Sequence, residues 1–494
     1  MGKDLGVGRI GAAVDAIAER ALRGTGTPGA VVAVVTADGA AYVRGYGVRE
    51  HGKDAPVTPR TLFPMASTTK AVTAAGAALL VGEGRLRWDD RVAKHLPEFR
   101  LSDPLADAAV TLRDLLCHRT GMPRHDMLWF RTGRGRAEVV RRFAHAAPNT
   151  GFRERYQYNN IGYLAAGEAC ARAAGHADYD DFVRARLTGP LGMTGVVSRF
   201  PEQEAHSERA SGHRVTPPAG RRRRPTVVPQ PWRDYDNVGG AGCLCGTGED
   251  FAAWLRFQLS GGLAPDGSRL VDAAALRETH TPQVVEPAMD EEGRRLYPET
   301  TQRAYAMGWS VFDYRGGHRV LSHAGAQNGF RHRSALAPDA GVGVFVAVSA
   351  LTFAPEVVRN GVLDLLLGLP ERDWLGAYNE LQAKAAARAA QRPKADAAKR
   401  HKGTRPSRAA GAYAGTYEHA AYGAVTVTED AARLRLGCAN FEPAPLTHRH
   451  YDTFRTDGGD PAFEATEVRF ALGPDGEVAT LTMFGAEFRR TAAG

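Results

Sequence analysis

The sequence predicts an α+β fold with a small all-β domain at its C-terminal end, and three observations predict it. Runs rich in β-branched and apolar residues occur near the start, Ala30–Thr36 and Ala40–Gly47, and recur between residues 311 and 349. Ala-rich, helix-forming text fills the interval between them. Beyond residue 410 the text becomes short alternating strands separated by turn residues. Strands supplied by both ends of one region, with helices between, make a single antiparallel sheet closed by both ends of that region and covered by the helices.

In chain order, Val14, Ile17 and Ala21 share a face of a helix over Gly11–Arg23. The residues Ala37-Asp38-Gly39 turn the first two strands into a hairpin. A helix spans Thr69–Glu83 and is stopped by Gly84. Helical text runs from Asp107 to Met193, broken by loops near 121–135 and 148–156. Val311–Tyr314, Arg319–Ser322, Ser334–Leu336 and Gly343–Ser349 read as the strands that complete the sheet. Residues 382–410 hold Ala, Lys and Arg but no large apolar side chain, as in a linker or an exposed helix. The tail offers strands at Val425–Val427, Leu434–Leu436, Phe463–Ala465, Val468–Leu472 and Ala479–Met483. The expected domains are therefore 1–375, a linker over 376–410, and a β domain over 411–494.

Composition narrows the function classes. With 43% hydrophobic, 24% charged and 8% aromatic residues in 494, disorder, collagen-like repeats and a coiled coil are excluded. The formal charge of +8 gathers partly in Arg221–Arg224 and in the stretch from Lys384 to Arg408, which reads as solvated surface, so no nucleic-acid partner is expected. Cys117, Cys170, Cys243, Cys245 and Cys438 are too few and too scattered for a disulfide framework. Cys243-x-Cys245 has the wrong spacing for a zinc knuckle, His448-x-His450 has no evident third ligand, and His118 and His125 read as structural, so no metal is expected. The residues after Met1 lack the apolar core of a signal peptide, and no apolar run approaches a membrane span. A cytoplasmic protein without a membrane partner is the expectation; a homo-oligomer is left open.

The strongest chemical signal is Ser67-Thr-Thr-Lys70 running into the helix after it. A Ser and a Lys three apart project from one helical face, so the amine reaches the hydroxyl. A serine beside a base, in the first turn of a helix, has the makings of an activated nucleophile. Tyr158-Asn159-Asn160 and His323-Ala324-Gly325 follow in that order. The succession Ser-x-x-Lys, Tyr-x-Asn, His-x-Gly resembles the serine β-lactamase and penicillin-binding-protein-like superfamily, in its CubicO-type branch of soluble esterases and peptidases. The segment from Val110 to Asp126, with Leu115-Leu116-Cys117-His118 and Gly121, and the element Pro190-Leu-Gly-Met193 extend the resemblance from about Val31 to Leu369. The tail, through Tyr413-x-Gly-x-Tyr417 and the stretch from His448 to Phe454, resembles the lipocalin-like domain attached to a subset of these hydrolases.

That resemblance implies a β-lactamase/transpeptidase-like domain, an antiparallel sheet flanked by helices, followed by a lipocalin-like barrel. It makes Ser67 the acylated nucleophile, Lys70 the amine sharing its proton, and Tyr158 a second proton-transfer group. An ordinary tyrosine pKa near ~10 falls only in a cationic neighbourhood, which Lys70 supplies. Asn160 is implied as a donor to a substrate carbonyl, and His323 as a neutral partner of Tyr158 standing where penicillin-recognising relatives carry Lys. The backbone N–H groups of Ser67 and Ala326 are implied as the oxyanion hole, with Gly325 letting substrate lie close to the strand. No cofactor is required. The expected function is a serine hydrolase acting on amides or esters of small molecules or short peptides, including D-amino-acid peptides. Three alternatives stand beside it: an acyltransferase or peptide cyclase, a β-lactamase or penicillin-binding protein, and a non-catalytic binding protein. Loops 121–135 and 200–240 are expected to shape the pocket, and Trp129, Phe130 and Trp232 within them either border the cleft or simply pack.

Overall fold

Both faces of the strand Gly29–Val35 (β1) are buried, which explains its unbroken apolar run. It pairs on one side with β2 (Ala41–Gly47), across the predicted hairpin, with Val35 opposite Ala41. On the other side it pairs with the equally buried Val342–Val348, joining the start of the region to its end. The computed structural model describes residues 7–217, 225–431, 433–458, 463 and 465–491. The Arg221–Arg224 run and the first residues after Met1 lie outside them.

The sheet continues through β3 (Val284–Val285), β4 (Arg303–Tyr305), β5 (Ser310–Asp313), β6 (Arg319–Gln327), β7 (Phe330–Ala337) and β8 (Val342–Val348). Its order is β2-β1-β8-β7-β6-β5-β4-β3, with every neighbouring pair antiparallel. Alternate side chains divide the helices between two faces. Val32 and Val34 of β1 with Val344 and Val346 of β8 join Val14 and Ala18 of α1 (Val7–Thr25) and Val358 and Val362 of a C-terminal helix, Ala354–Leu366. On the opposite face, Phe345 of β8 stacks on Phe251 of the helix Gly248–Leu259, with ring centroids 3.9 Å apart. The antiparallel α+β arrangement is the one the sequence predicts. β6 extends five residues beyond the expected end at Ser322, and so carries His323, Gly325 and Ala326 on a sheet strand.

The C-terminal strands close into an eight-stranded barrel, running in sequence from β9 (Gly415–His419) through Gly423–Asp430, Arg433–Cys438, Phe441–His450, Thr453–Thr456, Glu467–Leu472 and Val478–Met483 to Ala486–Arg490. The last strand pairs back onto β9, so no edge is left open. Alternation fills the interior: Val425 and Val427, Leu434 and Leu436, Val468 and Phe470 are buried while their neighbours face solvent. Tyr413, Tyr417, Phe454 and Phe470 pack together inside. Phe463 and Ala465, expected in a strand, are turn residues instead; the strand starts at Glu467, after the Thr466 N–H and hydroxyl have both found side-chain or backbone partners.

The chain forms two compact units. One holds the sheet and its helices, over 1–99, 105–124 and 149–382. The other holds the barrel with residues 100–104 and 125–148. Within this second unit, Asn440 Nδ2 donates to the carbonyls of Met127 and Phe130 at 3.1 and 2.6 Å, and His125 Nδ1 lies 2.6 Å from Tyr422 Oη. Residues 382–398, read as a linker or exposed helix, are the end of a helix, Trp374–Ala398.

Phe345→Ala is expected to lower stability by about 3–5 kcal/mol, because it empties a stacked aromatic site in a closed core. Denaturant unfolding of the full chain, followed by circular dichroism, measures it.

Candidate active site

Ser67 lies in a single 3-10 turn, Ala66–Thr68, that runs into α2 (Thr69–Gly82). Ala66 sits at φ +46°, the left-handed region that a residue with a Cβ enters at a cost. The Met65 N–H donates to the Leu244 carbonyl at 2.7 Å, and the Thr68 N–H and hydroxyl both donate to the Met65 carbonyl, at 3.1 and 2.7 Å. These bonds hold the strained residue just before Ser67, which stays half-buried. Gly325 of β6 completes the arrangement. A Cβ there would stand 2.7 Å from the Met65 carbonyl and 3.2 Å from Ala66 Cβ, so the glycine brings the strand against the serine turn.

Lys70 is fully buried, and its Nζ donates to three acceptors: Ser67 Oγ at 3.2 Å, Asn160 Oδ1 at 2.8 Å and the Ala241 carbonyl at 2.8 Å. Asn160 opens α3 (Asn160–Ala174), where the Asn159 side chain caps the helix by accepting the Gly162 N–H at 2.9 Å. The Ala241 carbonyl belongs to a glycine-rich turn with Gly239 at φ +43°, tied to α2 by Thr73 Oγ1 donating to the Gly240 carbonyl at 2.6 Å.

Tyr158, half-buried, has Lys70 Nζ 4.7 Å and Arg124 Cζ 5.0 Å from its ring centroid. Rings of His118 and His323 stand 4.3 and 6.3 Å away. His118 Nδ1 accepts the Asn159 N–H at 3.1 Å; burial, and then the charge of Lys70, hold this imidazole well below its ordinary pKa and so neutral. His323 Nδ1 lies 2.6 Å from the Ala324 carbonyl and its Nε2 3.0 Å from Tyr305 Oη. The network assigns the proton to Nδ1, with Nε2 accepting from the tyrosine. Burial, and then Lys70, push His323 down to about 3. The expected bond from His323 to Tyr158 is replaced by the one to Tyr305, whose fully buried hydroxyl needs a partner. Ala326, exposed on β6, is followed by Gln327, whose Nε2 donates to the Gly242 carbonyl at 2.9 Å and ties the strand to the glycine turn.

Beside Tyr158 and His323 opens a cavity of about 520 Å³, lined further by Tyr156 and by Arg303, Arg333 and Arg359. Loops 121–135 and 200–240 supply none of its lining. Trp232 packs on Phe330, centroids 5.4 Å apart, and donates from Nε1 to the Ala210 carbonyl at 2.8 Å, while Trp129 Nε1 donates to Asp126 within the barrel unit. Arg124, Tyr305 and Arg359 went unseen in the sequence. Arg124 was within reach, three residues after Gly121 in the His118 segment; the others carry no local signal. Among the described residues no three His, Cys, Asp or Glu side chains converge as a metal would require.

Sheet, serine turn, buried lysine and histidine strand together define a protein of the β-lactamase and penicillin-binding-protein superfamily, followed by an all-β barrel. The family model described as Beta-lactamase matches residues 14–369, and the chain belongs to that family. A second model, a domain of unknown function called DUF3471, matches residues 399–493. Along 502 aligned residues the chain is 29% identical to an unguisins hydrolase of Aspergillus violaceofuscus, covering 94% of this chain and 83% of that protein. It is 30% identical over 323 residues to penicillin-binding protein 4 of Amycolatopsis lactamdurans, covering 64% and 79% respectively. The solved octameric penicillin-binding protein homologue from Pyrococcus abyssi shares the fold, with a TM-score of 0.60 at 21% identity over 98% of this chain and all of that one. No helix among the described residues is long and apolar enough to cross a membrane.

Gly325→Ala should lower stability by about 1–3 kcal/mol while the far-ultraviolet spectrum is kept, since the new methyl must displace the serine turn; denaturant unfolding measures it. Burial pushes His332, opposite Gly325 on β7, down to about 3, as for His323. Both are neutral when folded, whereas the unfolded chain takes up their protons below about pH 6.5. Stability therefore falls as pH drops below that value, by about 2 kcal/mol per imidazole at pH 5. Melting temperatures at pH 7.5 and 5 should show the loss, and His332→Leu should flatten it.

Proposed function

We propose that the protein is a serine hydrolase that cleaves amide or ester bonds through an acyl-enzyme on Ser67. The contact that carries this reading is Lys70 Nζ, buried, at 3.2 Å from Ser67 Oγ. Similarity to the unguisins hydrolase along nearly the whole chain supports hydrolysis over a binding role.

In the proposed cycle, Ser67 Oγ attacks the carbonyl carbon and gives its proton to the Tyr158 oxygen, which acts as a phenolate beside the Lys70 ammonium, the two forming the proton-transfer pair. The tetrahedral oxyanion is held by the Ser67 and Ala326 N–H groups, the latter on the strand that Gly325 brings alongside. Collapse breaks the bond to the leaving group, which takes the proton back. Water then attacks the acyl carbon, delivering one proton to the pair and restoring Ser67 Oγ–H as the acid departs. Lys70 and Arg124 place positive charge beside Tyr158, as a group that must carry transient negative charge requires. Because Asn160 Oδ1 accepts from Lys70, a substrate carbonyl would be met by its Nδ2. Neutral His323 cannot offer the ammonium with which penicillin-recognising relatives hold a carboxylate, which favours simple esters and peptides over β-lactams.

Ser67→Ala should lower kcat for a chromogenic ester by at least 10³-fold and abolish the mass increase of a fluorophosphonate adduct, and Lys70→Met should approach it. Tyr158→Phe should lose 10²-fold or more. Full activity in Ser67→Ala would overturn the reading. Adding an amine acceptor tests the transferase alternative, which requires the acyl group to appear on the amine.

A further inference from the structure

Two cations face the ring of Tyr158, and they come from different segments. Lys70 Nζ, on α2, lies 4.7 Å from the ring centroid, and Arg124 Cζ, in the segment after His118, lies 5.0 Å from it. The segment that carries Arg124 is tied to the one that carries Tyr158. The Gln157 N–H donates to the His118 carbonyl at 2.7 Å, the Asn159 N–H to His118 Nδ1 at 3.1 Å, and Asn159 Nδ2 to the Pro123 carbonyl at 2.5 Å. These bonds flank Tyr158 in the chain and end one residue before Arg124, where the proline ring fixes φ. Arg124 is exposed and Tyr158 half-buried, so the guanidinium meets the ring at the rim of the site. A cation over an aromatic face is attracted to it, and more strongly once the phenol has lost its proton.

The other groups around Tyr158 bring no comparable charge. His118 and His323, whose rings stand 4.3 and 6.3 Å away, are both neutral, burial being the first cause. On α3 and β4, Tyr163 and Tyr305 keep their protons, because burial holds both phenols well above the ordinary range. Burial raises Tyr156 likewise, with its ring 6.5 Å from that of Tyr158. The acid in the cavity wall, Glu286, is engaged by Arg303 at 2.7 Å and by the Ser310 hydroxyl. A deprotonated Tyr158 is thus faced by two positive charges among neutral rings.

We propose that Arg124 is a positioning residue that, together with Lys70, holds Tyr158 as a phenolate in the resting enzyme, ready to receive the Ser67 proton at neutral pH. The inference rests on the serine hydrolase reading above and adds a residue to it. Lys70 also serves Ser67 Oγ and Asn160 Oδ1, and Arg124 contributes a second charge from another segment. Arg124 itself gives and takes no proton in the cycle. Because it is exposed, salt screens its charge, whereas buried Lys70 is screened much less.

The test follows kcat/KM for a neutral chromogenic ester against pH, and the tyrosinate absorbance of each protein against that of its Tyr158→Phe counterpart. Arg124→Gln should move both the acid limb and the Tyr158 ionisation upward by about one pH unit and cost about tenfold at neutral pH. Its activity should recover to within about threefold of wild type by about pH 9, and Arg124→Lys should keep most of the activity throughout. Raising the salt from about 0.05 to about 0.5 M should move the wild-type limb toward that of Arg124→Gln, and the variant's limb much less. A loss in Arg124→Gln that is equal at every pH, with an unmoved Tyr158 ionisation, would mark a merely structural role and overturn the proposal. A variant indistinguishable from wild type would overturn it too. Ser67→Ala keeps the two levels apart. Hydrolysis surviving in it sinks the hydrolase reading; hydrolysis lost in it, with Tyr158 titrating alike in wild type and Arg124→Gln, sinks only the role of Arg124.

Discussion

The charge of Lys70 organises the candidate site. An ammonium removed from water needs an acceptor for each N–H, and the fold supplies them from three separate segments: Ser67 from the turn before α2, Asn160 from the start of α3, and Ala241 from a glycine turn. Each supplier is itself held. Ser67 follows a left-handed alanine that backbone bonds to Leu244 and Thr68 keep in place. Asn160 is fixed by a capped helix start, and the turn of Ala241 by Thr73 and Gln327. Through these bonds the geometry at Ser67 is linked to the packing of α2, α3 and the glycine turn.

This dependence explains what could be read from the sequence. Ser67 and Lys70 are three apart on one helix, and their contact follows from helical periodicity alone. Strands β1 and β8 announce themselves by unbroken apolar runs buried on both faces. Tyr158 and His323 were found by the order of short motifs, but the partner of His323 was not, because Tyr305 arrives from β4, two strands away in the sheet. Arg359 gave no signal, since an arginine on an amphipathic helix normally faces water and its burial is a product of topology. In the barrel, strands with clean alternation such as Val425–Val427 were legible. Others were hidden: Phe441–His450 contains two prolines and a break in register near its end. The grouping of residues 125–148 with the barrel depends on bonds such as that of Asn440 to Met127, made across 313 positions. No local pattern encodes it.

An imidazole at position 323, where an ammonium would be a second cation near Lys70, has consequences for the whole site. A second full charge near buried Lys70 would compete for the same few acceptors and raise the energy of both cations. A neutral imidazole removes that repulsion, and the charge of Lys70 is itself among the causes that keep it neutral. Its two nitrogens then serve neutral partners, the Ala324 carbonyl and the Tyr305 hydroxyl, and so become part of the wall. A neutral imidazole at position 323 thus leaves the charge of Lys70 the acceptors that tie it to Ser67 and Asn160.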